Sequence, residues 1–576
     1  MEENTHSIQE KGDIEKVEEV SVTPPHEYVP AEDVTITMKT WWVIFILSST
    51  FGLSFWPVPT TAAMQTKLSV VLGSATSVVW YVPAYTTGSA LGFLWAGANS
   101  DIFGRRLFLL FGHVLCCVGY IIAATSKDYK QFTAALAITG FGAGHCQMAM
   151  CSIPELMPNK YRHIGITLSD GFVFIIVVIG PVVGRYAIDS GDGWKFIFWG
   201  GFIAQFISLV SLAIWYHPPK HPKGVPWKEG LRGLDYVGAV LIIPGICLVL
   251  VGIINTTYKK STDVTVIAPM CVGFGLIIAF AFWETFSNTK YKLCPPYVFR
   301  SHYGREFTVP FILAFIVTMF YYGINVLYPT AVNVFYLTPT TSRSTELLLT
   351  LPGNLGLVFG ACLLIAFGNV FKHWWWTLNI SWIGMLIFGG LFALVTPYNK
   401  GLIIAVTFLE QTFFGWAQYE SVVFTQLGVH QHDLGISGGL SGVARFAGGS
   451  LAQAIYVSIL TNTQASKAAA TVPQAAIAAG LSESSASQLL AAFPLGSSAL
   501  EAIPGINANI LGVASEAYKW SYAHGLKMTA LSSLSFGGLG LIMCLLCENE
   551  PINRKMNNKT EIFLENDVNR EKNEFH

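Results

Sequence analysis

The sequence predicts an all-α membrane protein of about fourteen transmembrane helices, and three observations lead there. Hydrophobic residues make up 52% of the 576 residues and charged residues only 12%, against about 25% charged in a soluble domain. Apolar runs of about 20 residues, the length that crosses a bilayer as a helix, recur along the chain. Glycine (54) and tryptophan (16) are abundant, and membrane helices favour the first while their interfacial ends favour the second. The lipid bilayer is therefore the first expected partner. A net charge of −1 offers no basic surface for nucleic acid.

Residues 1–38 are acidic, carry Pro24, Pro25 and Pro30, and lack the apolar core of a signal peptide. They read as a disordered cytoplasmic tail. Spans are then placed at 41–58, 77–98, 107–125, 131–152, 166–187, 195–216, 236–255, 264–285, 308–329, 345–368, 374–395, 402–424, 436–460 and 525–546. An even count with a cytoplasmic amino terminus puts the carboxyl terminus inside too. Lys220, Lys223, Lys228, Arg232, Lys290, Lys292, Arg300 and Arg305 fall in segments assigned inside, the bias expected of cytoplasmic loops. Residues 461–523 are rich in Ala and Ser and read as a long outward loop with weakly helical pieces such as 484–492. Residues 548–576 are polar and read as a second cytoplasmic tail. The ten cysteines are scattered, and Cys544 with Cys547 forms a lone C-x-x-C, too little for a zinc site. No metal and no cofactor is expected. No Gly-x-x-x-x-Gly-Lys-Ser/Thr sequence occurs, so nothing points to ATP drive, and nothing suggests an enzyme.

Between the second and third spans stands Gly97-Ala98-Asn99-Ser100-Asp101-Ile102-Phe103-Gly104-Arg105-Arg106. Gly97 and Gly104 remove side chains where helix ends approach. Asp101 and Arg105 are four apart and face each other on a helical turn. By itself this is a charged membrane turn that fixes orientation. Its residues, spacing and place in the chain closely resemble the loop between the second and third helices of the major facilitator superfamily. In that family the Asp and first Arg latch two helix bundles on the cytoplasmic side.

The resemblance implies two six-helix bundles, at 39–216 and 301–547, with two inserted helices and cytoplasmic loops at 217–300. Gly180-Pro181-Val182-Val183-Gly184 is physically a bent helix with a small-residue face. It also resembles the antiporter motif of drug exporters, although Ile176 stands where that motif has a glycine. The Arg and Gln that such exporters carry in the fourth span are Leu136 and Thr139 here, ahead of Gly140, Gly142 and Gly144, and the first span lacks the Asp of many relatives. Ile153–Arg162, Gly193–Phe198, Tyr216–Pro219 and Gly233–Gly238 together resemble the fungal trichothecene efflux pump family, close to fungal siderophore–iron transporters.

Charged residues inside spans are costly and are functional candidates by default. Glu410, beside Gln411 and before Gln418 and Glu420, and Arg445 are such residues. A Glu410–Arg445 pair between neighbouring helices is one reading, and a titrating Glu410 facing the cavity is another. Tyr321, Tyr322 and Asn325 form an aromatic and polar stripe, and His145 and Gln147 lie in the fourth span. The resemblance implies that spans one, four, nine and twelve line the cavity. His145 is read either as a titrating group or as a packing residue. The implied function is proton-coupled efflux of a bulky hydrophobic secondary metabolite, toxin or drug, by a monomer in the plasma membrane or another membrane. The alternatives are siderophore–iron uptake with protons and a non-transporting receptor.

Overall fold

The computed structural model describes residues 37–74, 77–157, 161–218, 225–256, 259–338, 340–429, 433–493, 497–549, 552 and 556. Residues 1–36 of the expected amino-terminal tail, most of the carboxyl-terminal tail, residues 158–160 and residues 219–224 (with Pro219, Lys220 and Lys223) lie outside the described residues.

Helix α1 (Met38–Phe55) starts where the Thr37 hydroxyl accepts the Thr40 N–H, an N-cap that satisfies an orphan donor. It breaks at Trp56, where Pro57 opens α2 (Pro57–Val71), a first-turn position that suits proline because an N–H there would lack a helical partner anyway. The two form one 34-residue span. Helix α3 (Val78–Phe103) ends at Gly104, whose φ of +90° suits a residue without Cβ. The first half continues through α4 (Arg105–Ala124), α5 (Tyr129–Cys146), α6 (Ala149–Glu155), α7 (Arg162–Ser169), α8 (Gly171–Ile188) and α9 (Gly193–Trp215). Short α10 (Trp227–Gly233) leads to α11 (Tyr236–Asn255) and α12 (Val264–Phe286), then to short α13 (Pro296–Arg300). The second half holds α14 (Thr308–Ala331), α15 (Arg343–Leu348), α16 (Pro352–Phe371), α17 (Trp374–Leu391), α18 (Lys400–Leu427) and α19 (Leu434–Ala478). It closes with α20 (Glu483–Ala492), α21 (Ser497–Glu501) and α22 (Ala508–Leu546).

Among the described residues, 11 helices are long and apolar enough to cross a membrane. Three others placed as spans, α3, α5 and α18, are helices of 26, 18 and 28 residues that are more polar. They can be more polar because protein rather than lipid surrounds them, and they carry much of the buried polar inventory.

Apolar contact alone does not hold helices together in lipid, so close approach at small residues matters more. Helix α3 packs on α5, α4 on α5 and α9, and α2 on α8. A Cβ added at Gly140 would lie 2.1 Å from the Tyr85 carbonyl oxygen, and one at Gly144 2.3 Å from that of Ser89. The fourth-span glycines therefore set the α3–α5 crossing. In the second half α14 packs on α18, α19 and α22, and α16 on α18. The halves meet along α3 and α19, and where α7 and α8 touch α16 and α18. Helices α11 and α12 pair with each other beside α3 and α19 and leave Val240, Val272 and Ile278 exposed, as lipid-facing residues are.

Residues 461–523 are more helical than expected: α20 coincides with the expected piece at 484–492, while α19 runs on to Ala478, α22 starts at Ala508, and α20 packs against α19. Ala-rich sequence has high helix propensity, and Ala468, Val472, Leu489, Ile510 and Ala514 give this extension a small core of its own.

Candidate functional site

Midway through the fold the chain breaks between α7 and α8, and Asp170 occupies the break. Arg445 lies eleven residues into α19, about 16 Å from its start at the rise of an α-helix. Their side chains meet across the halves, Nη2 to Oδ2 at 3.7 Å. Tyr419 of α18 donates its hydroxyl to the same Oδ2 at 2.8 Å. The other oxygen of Asp170 is buried with no hydrogen-bond partner among the described residues. A cavity of about 50 Å³ borders this cluster, walled by Phe51, Phe55, Gln147, Tyr321, Tyr322, Gln418 and Phe446 as well. A larger one of about 390 Å³ shares Tyr321 and Tyr322 and extends past Asn325, Tyr328, Asn354, Pro181 and Arg185.

At one end the halves are sealed. The Asp101 carboxylate accepts the N–H groups of Gly435 and Ile436, each at 3.0 Å. These are first-turn donors of α19 that its own helix cannot satisfy, and the positive end of the helix dipole favours an anion there. Arg105 binds Asp101 at 2.6 Å and Glu155 at 2.7 Å. A Cβ at Gly97 would stand 2.7 Å from the Gly439 Cα, so glycine is required for this approach. Gln426 donates to the Met150 carbonyl at 3.1 Å. Arg106 instead donates to the Ala213 carbonyl at 2.7 Å, inside the first half.

At the other end an ionic cluster joins the halves beside the larger cavity. Arg185 and Glu346 are 2.6 Å apart, and Asp189 binds both Lys67 at 2.6 Å and Arg343 at 2.7 Å. Arg343 also donates to the Arg185 carbonyl and covers the Tyr186 ring at 4.8 Å. The Lys67 hydrogen bond, with Arg343 alongside, holds the Asp189 carboxyl below its ordinary 3.8.

The Glu410–Arg445 pair, one of the two readings of Glu410, is not formed among the described residues. Glu410 and Tyr419 are nine residues apart on α18, which turns their side chains about half a revolution apart. Tyr419 reaches Asp170, whereas Glu410 accepts the Gln411 amide at 2.7 Å and lies against Gly389 of α17, lining neither cavity. Gln411 packs on Gly356 of α16. His145 sits among Phe108, Phe111 and Phe141, its Nδ1 at 2.8 Å from the Phe141 carbonyl, which is a packing position away from the cavities. Gln147, Gln418, Tyr321, Tyr322 and Asn325 do reach a cavity wall. Gly180 and Gly184 close α8 onto α2, where added Cβ atoms would meet Pro59 at 3.0 Å and the Thr60 carbonyl at 2.6 Å. Asp170 and Tyr419 are not among the expected site residues, although an aspartate inside the run 166–187 is a visible signal. Away from the cavities, His302, Glu306 and Glu548 gather three possible metal ligands at the surface.

The profile of the fungal trichothecene efflux pump family (TRI12) matches residues 49–560. The chain is 41% identical over 537 residues to the MFS-type transporter prx5 of Penicillium rubens, covering 93% of this chain and 96% of that protein. It is 26% identical over 514 residues to the trichothecene efflux pump TRI12 of Fusarium sporotrichioides, covering 87% and 85%. Its fold resembles the solved structure of the proton:xylose symporter XylE, with a TM-score of 0.52 at 16% identity, covering 86% and 95%.

Proposed function

Since the chain belongs to the fungal trichothecene efflux pump family of major facilitator transporters, we propose that it exports a bulky, mostly apolar secondary metabolite in exchange for protons. The observation that carries this reading is the pair of cavities between the halves, with Asp170 and Arg445 opposed in the wall of the smaller one. A cavity of about 390 Å³ suits a small organic molecule, since ligand sites run from about 300 to 1,000 Å³. Tyr321, Tyr322 and Tyr328 in its wall favour an apolar body, and Asn325, Asn354 and Tyr321 offer hydrogen bonds to a few oxygens.

The transport cycle then has two closed ends. The Asp101 cluster faces the cytoplasm and the Asp189 cluster faces outward, in a fourteen-span monomer of the plasma membrane with both termini inside. Opening the Asp101 end admits substrate, and opening the Asp189 end releases it. One of the named relatives is a trichothecene efflux pump, which makes a trichothecene the first compound to test. Proteoliposomes holding the full chain, with an acidic lumen, are expected to accumulate at least one compound from a panel of tritiated apolar fungal metabolites, trichothecenes included. Accumulation that ignores the pH gradient contradicts proton exchange, and accumulation of an iron–siderophore complex alone contradicts efflux of apolar metabolites.

A further inference from the structure

We infer that Asp170 is the proton-binding site of the transport cycle, and that Arg445 and a proton occupy its carboxylate alternately. This rests on the transport reading above and adds the residue that carries the coupled ion. Several buried carboxylates near the middle or the sealed end compete for the role. Glu155 is bound to Arg105 within the first half and Asp433 accepts the Tyr297 hydroxyl, and neither lines a cavity. Asp101 joins the halves but is fully engaged by Arg105 and two backbone N–H groups. Glu410 is bonded within its own helix and lines no cavity. Glu420 is held by Thr377 and Trp416, both in the second half. Asp170 alone among them borders a cavity, faces a cation of the other half and keeps one oxygen without a partner.

The groups around it define what protonation does. From α19 comes Arg445, from α18 the Tyr419 hydroxyl, and from α14 Tyr321 and Tyr322, while Phe51 and Leu357 bring nothing that titrates from α1 and α16. A proton from water adds to the open oxygen, forms an O–H bond and cancels the carboxylate charge. Arg445 then has no other carboxylate within 4 Å among the described residues. A mostly buried cation left without its carboxylate is unfavourable, so the α7–α8 break and α19 gain reason to part. Loss of the proton restores the pair. Binding the ion and releasing the contact between halves thereby become one event.

The test is infrared difference spectroscopy on the full chain in lipid nanodiscs, titrated across the physiological pH range without substrate. The expected result is a carboxylic-acid stretch that grows as pH falls, with a guanidinium band shifting at the same midpoint. Asp170→Asn is expected to abolish both changes. Asp170→Glu should keep them at a moved midpoint, and Tyr419→Phe should move the midpoint with the bands intact. Arg445→Lys should retain the acid band and lose the guanidinium shift. An acid band that persists in Asp170→Asn, or a wild-type chain with no such band, overturns the assignment. If Asp170→Asn does not fold, midpoints unmoved in both Asp170→Glu and Tyr419→Phe overturn it equally. Because no substrate is used, failure here leaves the transport reading standing, and a chain that titrates but carries nothing fails only that reading.

Discussion

The Asp101 side chain of α3 accepts two backbone N–H groups of α19, from Gly435 and Ile436 at 3.0 Å each, so a residue of one half caps a helix of the other. Asp101→Asn keeps the shape but loses the charge that Arg105 and the helix end both use. Asparagine keeps one acceptor oxygen for the helix end, so the loss falls on the ion pair, and breaking a buried ion pair costs about 3–5 kcal/mol. The sealed end should open more often. The expected outcome is severalfold faster thiol labelling of Ser437→Cys when it is combined with Asp101→Asn, with flux reduced and membrane abundance near normal. Unchanged labelling and unchanged flux would remove the latch role.

Close approach predicts a second loss. A side chain at Gly97 must displace the α19 backbone, because its Cβ would lie 2.7 Å from Gly439 Cα and 2.8 Å from the Gly435 carbonyl oxygen. Gly97→Val is expected to reduce flux more than tenfold, about 1.4 kcal/mol or more, by preventing closure. Gly200, with open space around its Cα, supplies the control, and Gly200→Ala should transport normally. Equal flux for the two variants would show that the α3–α19 crossing need not close.

The Asp189 cluster predicts a pH dependence of definite sign. A carboxyl held below its ordinary 3.8 contributes contact energy that is present above that value and lost only as pH falls through the lower folded value. Cavity access should thus be the same at neutral and mildly acidic pH and rise only in strong acid. Labelling of Asn325→Cys by a membrane-impermeant thiol reagent reads this directly. Asp189→Asn should speed it at neutral pH, and high salt should as well, since the cluster is partly exposed and screened. A rate that climbs steeply between neutral and mildly acidic pH would contradict the cluster's role.

Glu410 makes the contrasting case. Its place between Gln411 and Gly389 separates it from the cavities, so Glu410→Gln should leave the pH dependence of transport intact. Any defect should appear as lower abundance or thermal stability in detergent. Loss of gradient-driven flux at normal abundance would return Glu410 to the mechanism.

Much of the helix placement is legible in the sequence because hydropathy over about 20 residues is a strong signal. The run 236–255 coincides with α11, and 107–125 differs from α4 by two residues at its start and one at its end. The extension of α19 and α22 is not legible, because its helices are held by alanines around Leu489 and Ile510 and carry no membrane-length apolar run. The Asp101 motif reads from its residues as a charged turn, and only its resemblance to the facilitator loop implies a latch; its acceptor role toward Gly435 and Ile436 needs α19 in place. Asp170 stands in view inside a span, but its partners Tyr419 and Arg445 lie 249 and 275 residues further on. Consecutive spans suggest Glu410 as the partner of Arg445, whereas Arg445 pairs with Asp170, and helical rotation on α18 turns Tyr419 rather than Glu410 toward that pair.

Thr86 of α3 and Ser450 of α19 share a hydrogen bond at 2.6 Å and face each other across the halves. If transport requires the halves to part there, a Thr86→Cys, Ser450→Cys double variant should cross-link on oxidation, since a disulfide needs its Cβ atoms only about 3.5–4.5 Å apart. Flux measured in the same vesicles should then stop with oxidation and return with reductant, while each single variant stays active throughout. Full flux with the bond quantitatively formed would contradict an alternating opening of the two halves.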